Sequence, residues 1–394
     1  MNDERRRSRT ALKLVLCLVI SIAAGLVWLW PRHAYLSAEP VAFTVERLQG
    51  NPIVHAGMSE SLGVPEQEKG YVNINGPSLI QVPAWIEDPL GKYYLYFAHH
   101  KGDHIRLAYA NHPTGPWKLH EPGSLQLADS RFPTQPPDRA GSREALSELW
   151  NDFSIYVFRD HLILVYRLLV ADPAIRKERG MPASESTRPH IASPDVLIDE
   201  ENERLLMYFH GLYENGSQLS RVAVSEDGIH FTAQPETIPS TYLRGFEYRD
   251  EHYLLGMPGV LYRSADAEGP FEPRDHLLFE PDMRHSGLWL DDSTLHVFWS
   301  RVGDTPERIL LSTVDLGSDD WDEWQATEPV EVIRPELPWE GSELPILSSL
   351  RGEMSLAAHE LRDPFVFADE DGQKYLLYVG SGEQAIGIAR LKSR

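Results

Sequence analysis

The chain has 394 residues, with 59 acidic against 37 basic side chains, one cysteine and a formal net charge of −22. A chain of this length can bury a large core, and its 42% hydrophobic and 24% charged residues are typical of a folded protein. The negative charge would repel nucleic acid at long range. A single cysteine excludes an intramolecular disulfide and any multi-cysteine zinc site.

A basic segment and an apolar segment open the chain. Residues 1–13 carry a net charge of +3, which leaves −25 for the rest. Residues 14–30 contain no charged side chain, and their length lies between that of a signal-peptide core and that of a spanning helix. This order predicts a cytoplasmic basic stub, a signal anchor or cleaved signal peptide, and a linker over 31–40. We expect the part beyond about residue 35 to be exported, periplasmic or extracellular, and attached to the membrane by the N-terminal helix unless that helix is cleaved.

The rest of the chain repeats one pattern five times. Each copy has an apolar strand, an acidic or glycine turn, a strand that ends in aromatic residues, and a third strand of small and apolar residues. The copies cover 78–110, 195–225, 245–265, 286–315 and 363–391. Blades of four-stranded propellers repeat at roughly 40–50 residues, which the closest copies match. We therefore predict an all-β fold over 41–394, a five-bladed β-propeller, and expect a monomer.

Outer strands are expected to follow four of the copies. They fall at 115–121, 228–234, 269–275 and the stretch that contains Trp321 and Trp324. The fifth copy has no such segment of its own, and residues 41–48 could supply it and close the ring. Two long stretches interrupt the pattern: an insertion at about 123–190 and a proline-rich loop over 325–358.

The motifs RDPFVF, GPSLI and SPDV at strand starts resemble the furanosidase propellers of glycoside hydrolase family 43 and its relatives, which include neoagarobiose hydrolases and mannoside phosphorylases. The resemblance spans about residues 50–391. It implies three carboxylates around a central funnel: an Asp base on the first blade, a pKa-tuning Asp on the second and a Glu acid on the third. In this chain the first position is Gly76 and the second aligns with Ser193, while the third blade offers Arg244 and Glu247. The family triad is therefore not intact.

Three residues are the candidates for catalysis. Asp363 precedes a proline at the start of the fifth copy and could act as a base or accept a substrate hydroxyl; the alternative is a carboxylate tied to backbone amides. Asp195 lies two residues after Ser193, and its alternative role is an ion pair between blades. His285 could act as an acid, because histidine titrates near neutral pH. The resemblance also implies a place for His285 near an axial ion, so a structural calcium is an open alternative.

Further candidates for substrate binding lie at strand starts and in the loops of the expected funnel mouth. They are Asn75, His100, Asp103, His190, Arg244, Arg284, Arg301, Glu307, Arg362 and Glu383. Arginines outnumber lysines 29 to 8, and arginine suits fixed bidentate contacts. The mouth arginines would either bind an anionic group or pair with nearby acids. The histidines near residue 100 lack a clear three-ligand set, so we predict neither a zinc site nor a cofactor.

The leading hypothesis is a glycoside hydrolase-like enzyme that acts on a poly- or oligosaccharide in the funnel, with acidic residues as acid and base. Because Gly76 replaces the expected aspartate, a non-catalytic glycan-binding propeller is one alternative. A protein-interaction propeller at the cell surface is another. Phosphorolysis in place of hydrolysis also stays open until the arginines are located.

Overall fold

The computed structural model describes residues 33–37, 43–59, 62, 72–136, 188–214, 216–354 and 356–393. The basic stub, the apolar segment 14–30 and most of the insertion predicted at 123–190 lie outside the described residues. Within the described part, no helix is both long enough and apolar enough to cross a membrane.

The described residues form five antiparallel sheets, with strands numbered along the chain. The first sheet contains β3 (Asn75–Gln81), β4 (Tyr93–Ala98), β5 (His104–Ala110) and β6 (Lys118–Gln126). The second contains β7 (Ile191–Asp199), β8 (Arg204–Leu212), β9 (Gln218–Ser225) and β10 (Thr232–Ala233). The third contains β11 (Thr241–Tyr248), β12 (Glu251–Met257), β13 (Val260–Ser264) and β14 (Glu272–Pro273).

The fourth sheet contains β15 (Met283–Asp291), β16 (Thr294–Arg301), β17 (Ile309–Asp315) and β18 (Val330–Ile333). The fifth contains β19 (Leu361–Ala368), β20 (Lys374–Gly380), β21 (Ala385–Ser393) and β1 (Phe43–Arg47), and β2 (Val54–His55) also pairs with β21. Short 3-10 helices lie at Ala56–Met58, Leu127–Asp129, Trp321–Glu323 and Pro338–Glu340.

The five sheets close into a propeller around their first strands. Strand β3 contacts β7, β7 contacts β11, β11 contacts β15, β15 contacts β19, and β19 returns to β3. The second strand of a blade is covered on both faces by neighbouring blades, so the sequence YYLYFA of β4 is apolar or aromatic throughout and fully buried. This arrangement confirms the predicted all-β five-bladed propeller and brings the starts of the inner strands together.

The ring is closed by the N-terminal strand. Strand β1 pairs antiparallel with β21, from Phe43 opposite Ser393 to Arg47 opposite Ala389. The fifth blade is therefore built from both ends of the propeller, as the sequence predicted for residues 41–48.

One predicted outer strand was wrong. Residues Trp321–Glu323 form a 3-10 helix, and the outer strand of the fourth sheet is Val330–Ile333, inside the segment predicted as a loop. The carboxylate of Asp320 accepts a 3.0 Å hydrogen bond from the backbone N–H of Asp322 and caps this helix. The indoles of Trp321 and Trp324 pack into the core shared by the third and fourth sheets. Their aromatic pattern therefore reflected core packing.

Candidate active site

Each innermost strand has a bulge near its start. The ladder register shifts between Asn75 and Ser78, Ala192 and Asp195, Thr241 and Arg244, Met283 and Ser286, and Arg362 and Phe365. The first residues inside these shifts are Gly76, Ser193, Tyr242, Arg284 and Asp363. Four of them, all but Arg284, have a left-handed φ between 46° and 59°. Left-handed backbone is uncommon outside glycine, and bulges redirect side chains, often next to active sites. Among these five positions, a carboxylate occurs at Asp363.

Asp363 is held by residues of two neighbouring blades. Its Oδ2 accepts a 3.1 Å hydrogen bond from the backbone N–H of Gly76, and its Oδ1 contacts Nδ1 of His285. Asp363 is 1% exposed and His285 is 2% exposed. Burial lowers the pKa of His285 well below its usual value, and the neighbouring Arg284 and Arg362 lower it further. The imidazole is therefore neutral at pH 7, and in the tautomer with its proton on Nδ1 it can orient the Asp363 side chain.

The absence of an aspartate at position 76 has a steric cause. A Cβ atom on Gly76 would lie 3.0 Å from Cα of Ser193, and Gly76 has a φ of 59°. A side chain would be crowded against β7 and strained in this backbone conformation. Glycine allows the two strands to approach and leaves its N–H directed at Asp363.

Glu383 is the centre of a second buried network. Its Oε1 accepts a 2.9 Å hydrogen bond from Nη1 of Arg362, and its Oε2 accepts one of 2.5 Å from Nδ2 of Asn73. Nδ1 of His100 lies 3.7 Å from the same Oε2. Arg362 also binds Glu360 through Nε at 2.9 Å. Burial alone would lower the pKa of Arg362, but Glu360 and the other glutamates around it raise that pKa above its usual value.

Arg284 and Glu307 form an ion pair next to this network, since Oε2 of Glu307 also lies 3.5 Å from Nε of Arg362. Nη1 of Arg284 donates to Oε2 of Glu307 at 3.0 Å and to the backbone carbonyl of Leu350 at 2.6 Å. The other carboxylate oxygen of Glu307 accepts a 2.7 Å hydrogen bond from the Ser300 hydroxyl. Both charged side chains are almost completely buried. This pair ties the fourth blade to the segment that follows it.

Asp195 is engaged in an ion pair between blades. Its Oδ1 accepts a 3.0 Å hydrogen bond from Nη1 of Arg244, and its Oδ2 accepts one of 2.8 Å from the N–H of Gly245. Arg244 also donates to the backbone carbonyls of Pro77 and Ser286, and so joins four blades. Burial raises the pKa of Asp195, and Arg244 partly opposes that rise. The contacts are those of the structural alternative stated for Asp195.

Four histidines and a tyrosine gather beside Asp363. The ring centroids of His100, His190 and His210 lie 5.8–6.2 Å apart. The ring of Tyr242 lies 4.8 Å from that of His210 and 4.0 Å from that of His285. The Tyr242 hydroxyl lies 3.0 Å from Nδ1 of His100. Within the described part of the chain, neither ring nitrogen of the fully buried His210 has a hydrogen-bond partner.

These groups do not form a metal centre as they stand. Among the described residues, no set of three or more His, Cys, Asp or Glu side chains is arranged to hold a metal ion. A place for His285 near an axial ion stays a prediction.

Two residues of the predicted set lie apart from the centre. Asp103 is exposed over 83% of its side chain and contacts Nδ1 of His104 at 2.8 Å. Arg301 forms a 2.8 Å ion pair with Glu280 in a partly exposed position. Asp103 lies in the loop between β4 and β5, and Arg301 is the last residue of β16. Neither has a contact with Asp363 or Glu383 among the described interactions.

Sequence reasoning missed several groups of the centre. Asn73 lies in the NINGPSLI motif and binds Glu383, as described above. Glu353 is 4% exposed and forms a 2.5 Å ion pair with Nζ of Lys101. Glu353 and Glu360 lie in or after the long loop, outside the repeat pattern, so no strand position indicated them. The bulge position of Tyr242 was the one signal that could have identified it.

The fold is a five-bladed propeller, and solved structures of glycoside hydrolases share it. A solved structure from the GH130 family of mannoside phosphorylases, reported to contain glycoside hydrolases that target β-1,2 mannosidic linkages in Candida mannan, aligns with 91% of this chain and 96% of its own. Its TM-score is 0.52 at 13% identity. A glycosyl hydrolase from Bacteroides ovatus aligns over the same shares, with a TM-score of 0.52 at 10% identity. At these identities the likeness shows the fold.

The family follows from sequence. The chain is 31% identical over 345 residues to the uncharacterized protein R118 of Acanthamoeba polyphaga mimivirus, a match that covers 81% of this chain and 84% of that protein. The chain belongs to the same family as R118. No protein-family model matches it.

Proposed function

We propose that this protein is a glycoside hydrolase-like enzyme that acts on a poly- or oligosaccharide at the centre of the propeller, with Asp363 as the general base. The observation that carries the proposal is the geometry of Asp363, a buried carboxylate on a bulge that is oriented by a neutral imidazole and a backbone amide. Hydrolysis of a glycosidic bond needs two carboxyl groups at the scissile bond, one of them protonated.

Glu353 is the best candidate for the proton donor. Burial raises the pKa of Glu353, so this carboxyl group keeps its proton to a higher pH than an exposed glutamate does. The charge of Glu383 adds to this rise, which supports a position for Glu353 close to Glu383. Glu383, already bound by Arg362 and Asn73, would instead accept substrate hydroxyls. Because Asp363 and His285 are nearly inaccessible, substrate entry requires local opening of the mouth.

The pairing of the arginines supports hydrolysis over phosphorolysis. Each of the four arginines predicted at the mouth has an acidic partner: Arg244 with Asp195, Arg284 with Glu307, Arg301 with Glu280 and Arg362 with Glu360 and Glu383. An arginine that already binds a carboxylate would have to break that pair to bind phosphate, which is costly in a buried site.

A glycan-library hydrolysis assay tests the proposal. We expect the full-length protein to release sugar from at least one glycan without added phosphate. Glu353→Gln should lose at least about 100-fold in kcat, as is typical when a general acid is removed. Glu343→Gln, at an exposed glutamate earlier in the same long loop, is the matched control. Release of sugar only when phosphate is present, or full activity of the Glu353 variant, would contradict these assignments.

A second candidate function is glycan binding without turnover. It is favoured by Gly76 and Ser193 at the two positions where the family resemblance implies carboxylates. Saturable glycan binding by the wild-type protein, with no product after long incubation, would support this function over hydrolysis.

We also propose that the propeller is exported. The support is the basic segment 1–13 followed by the uncharged segment 14–30. Protease added to spheroplasts should digest a tethered propeller, and a cleaved one should appear in the released periplasmic fraction or the medium. A propeller that stays inside spheroplasts and is digested after lysis alone would contradict export.

A further inference from the structure

A short segment of the long loop crosses the mouth of the propeller. We call this segment, residues 348–354, the mouth strap. It contacts the turns between the second and third strands of the fourth, first and fifth blades, through the pairs Ser349 with Asp304, Glu353 with Lys101 and Met354 with Gly382. Because neighbouring strands are antiparallel, these turns lie at the same end of the propeller as the starts of the inner strands. The strap therefore bridges three blades at the end where Asp363 lies.

Two buried arginines hold the strap against the centre. Nη1 of Arg284 donates to the backbone carbonyl of Leu350 at 2.6 Å, and Nη1 of Arg362 donates to that of Gly352 at 3.2 Å. Asp363 directly follows Arg362 in the inner strand of the fifth blade. The Leu350 side chain is buried and belongs to a small apolar cluster of its own. The strap is thus packed next to the strand start that carries Asp363.

The strap is held by fewer backbone bonds than the blades. Within the described residues it belongs to no sheet, and its one backbone-to-backbone hydrogen bond is that from the Ser349 N–H. Segments with few such bonds open at a lower free energy than the sheets around them. Opening would not leave a buried arginine without an acidic partner, because Arg284 keeps Glu307 and Arg362 keeps Glu360. The strap can therefore open while the blades stay folded.

The two ends of the loop that carries the strap meet at a fixed neck. A Cβ atom on Gly341 would clash with the backbone carbonyl of Ala358, so the two chain segments touch there. Glu340, the residue before Gly341, accepts hydrogen bonds of 2.8 Å from Nε of Arg47 and from the Tyr378 hydroxyl. A loop whose ends touch is an Ω-loop, a type that is frequently functional. A bound neck and a lightly held strap allow the strap to move as a unit.

We infer that the mouth strap is a movable cover, which opens to admit the substrate and closes to bring Glu353 to it. This inference rests on the proposed function and adds the control of access to that site. Asp363 is 1% exposed while the strap is in place, so a sugar chain cannot reach it. Closure of a loop over bound substrate can both exclude water and complete the catalytic set. Glu353 lies on the strap itself, so the proposed proton donor would arrive only with closure.

Thiol labelling of the full-length protein tests the cover without a substrate. Cys17→Ser removes the one cysteine of the chain, and Ser193→Cys places a reporter thiol in the centre at a side chain that is 2% exposed. Leu350→Ala removes the buried anchor of the strap and should raise the rate of labelling by methyl methanethiosulfonate about 10-fold or more. Ile346→Ala, at an exposed residue of the same loop, should leave that rate unchanged.

A second reporter separates opening of the strap from unfolding of the propeller. Ser312→Cys, in the same Cys17→Ser background, places the thiol in β17, where the side chain is 1% exposed and accepts a 3.2 Å hydrogen bond from Nε1 of Trp299. This reporter should be labelled only when the fourth blade unfolds. We therefore expect Leu350→Ala to accelerate labelling of the Ser193→Cys reporter much more than that of Ser312→Cys.

A reversible cross-link tests whether the cover controls activity. A Cβ atom on Gly382 would lie 3.4 Å from Cβ of Met354, close to the separation in a disulfide. In the Cys17→Ser background, Met354→Cys with Gly382→Cys should lose sugar release about 20-fold or more when oxidised and regain it with a reductant. The reduced form of the same protein controls for backbone strain at Gly382. The pair Met354→Ser and Gly382→Ser should not respond to the reductant.

The outcomes separate the cover from the proposed function. Equal acceleration of both reporters by Leu350→Ala, or no acceleration of either, overturns the cover, as does full activity of the oxidised cross-linked protein. If the reduced double cysteine variant is inactive, the labelling result decides alone. Faster labelling of the Ser193→Cys reporter, without hydrolysis of any glycan by the wild-type protein, would support the movable strap and count against the proposed function.

Discussion

Asp363 takes its properties from two contacts that neighbouring strands supply. The left-handed backbone at Asp363, with φ of 46°, is uncommon for a residue other than glycine. Such conformations persist where the surrounding structure enforces them, often at functional sites. Here Gly76 and His285 hold the two carboxylate oxygens, so the strand conformation and the chemistry depend on the same residue.

Replacement of Asp363 tests its role directly. Asp363→Asn keeps the size of the side chain and can keep the hydrogen bond from the Gly76 N–H, but it removes the basic carboxylate. We expect kcat for glycan hydrolysis to fall by about 100-fold to 10,000-fold, the usual contribution of a general base. Asp371→Asn, in the exposed turn of the same blade, should keep wild-type activity. An active Asp363→Asn protein would remove Asp363 from the reaction.

Buried neutral histidines make the protein sensitive to acid. Burial lowers the pKa of both His210 and His285 well below 6.5. A histidine with a lowered folded-state pKa contributes stability above the unfolded-state pKa, and this contribution is lost as the pH falls. For each such histidine, the free energy of unfolding should fall by about 2 kcal/mol between pH 6.5 and pH 5.

Urea unfolding at several pH values measures this loss. His210→Gln should reduce the decline in the free energy of unfolding between pH 6.5 and pH 5 by about 2 kcal/mol. His230→Gln, at a histidine whose side chain is 85% exposed, is the control and should leave the decline as it is. A decline of the same size in the His210 variant would show that the acid sensitivity arises elsewhere.

At the scale of strands, the sequence predicted the blades better than the centre. Alternation, turn residues and aromatic strand ends recur in every blade, so the copies could be aligned and β1 assigned to the ring closure. The outer strand of the fourth blade was misassigned because the spacing of Trp321 and Trp324 fits two structures equally well. One is an outer strand, and the other is a capped 3-10 turn whose indoles pack into the core. Aromatic content alone could not separate these cases.

The centre was harder to predict because it depends on contacts between blades. Asp363 and Glu383 could be selected as polar residues at strand starts and turns. Glu353 could not, because it enters from a long loop without a periodic pattern. The role of Asp195 depended on Arg244 lying within hydrogen-bond distance across two blades, which no local pattern encodes.

Arg244 connects strands whose sequence separation is large. Arg244→Lys keeps the charge but loses the planar group that binds Asp195 and the carbonyls of Pro77 and Ser286 together. We expect the free energy of unfolding to fall by about 3–5 kcal/mol, as for a broken buried ion pair. Arg249→Lys, at a pair that is largely exposed, should cost less than about 1 kcal/mol. Chemical denaturation compares the two, and equal small losses would contradict a bridging role for Arg244.

At the scale of the whole molecule, stability depends on closing the ring without a disulfide. The one cysteine of the chain, Cys17, lies in the N-terminal apolar segment, outside the propeller. The closure of the fifth blade by β1 therefore relies on strand pairing and packing. Phe43 of β1 is 6% exposed and packs edge-on against Trp289, with ring centroids 5.5 Å apart. It lies at the seam where the first strand of the propeller meets its last.

Truncation of Phe43 should weaken the molecule as a whole. Phe43→Ala leaves a cavity between β1 and the fourth blade, and such changes cost about 3–5 kcal/mol. Because the ring is closed by this strand, we expect the entire propeller to unfold in one cooperative transition whose midpoint lies at a lower urea concentration than in the wild-type protein. Ile346→Ala, at a residue that is 56% exposed, should change stability by less than about 0.5 kcal/mol. A separate early transition confined to the fifth blade would mean that β1 stabilises that blade alone and that the ring stays folded without its closure.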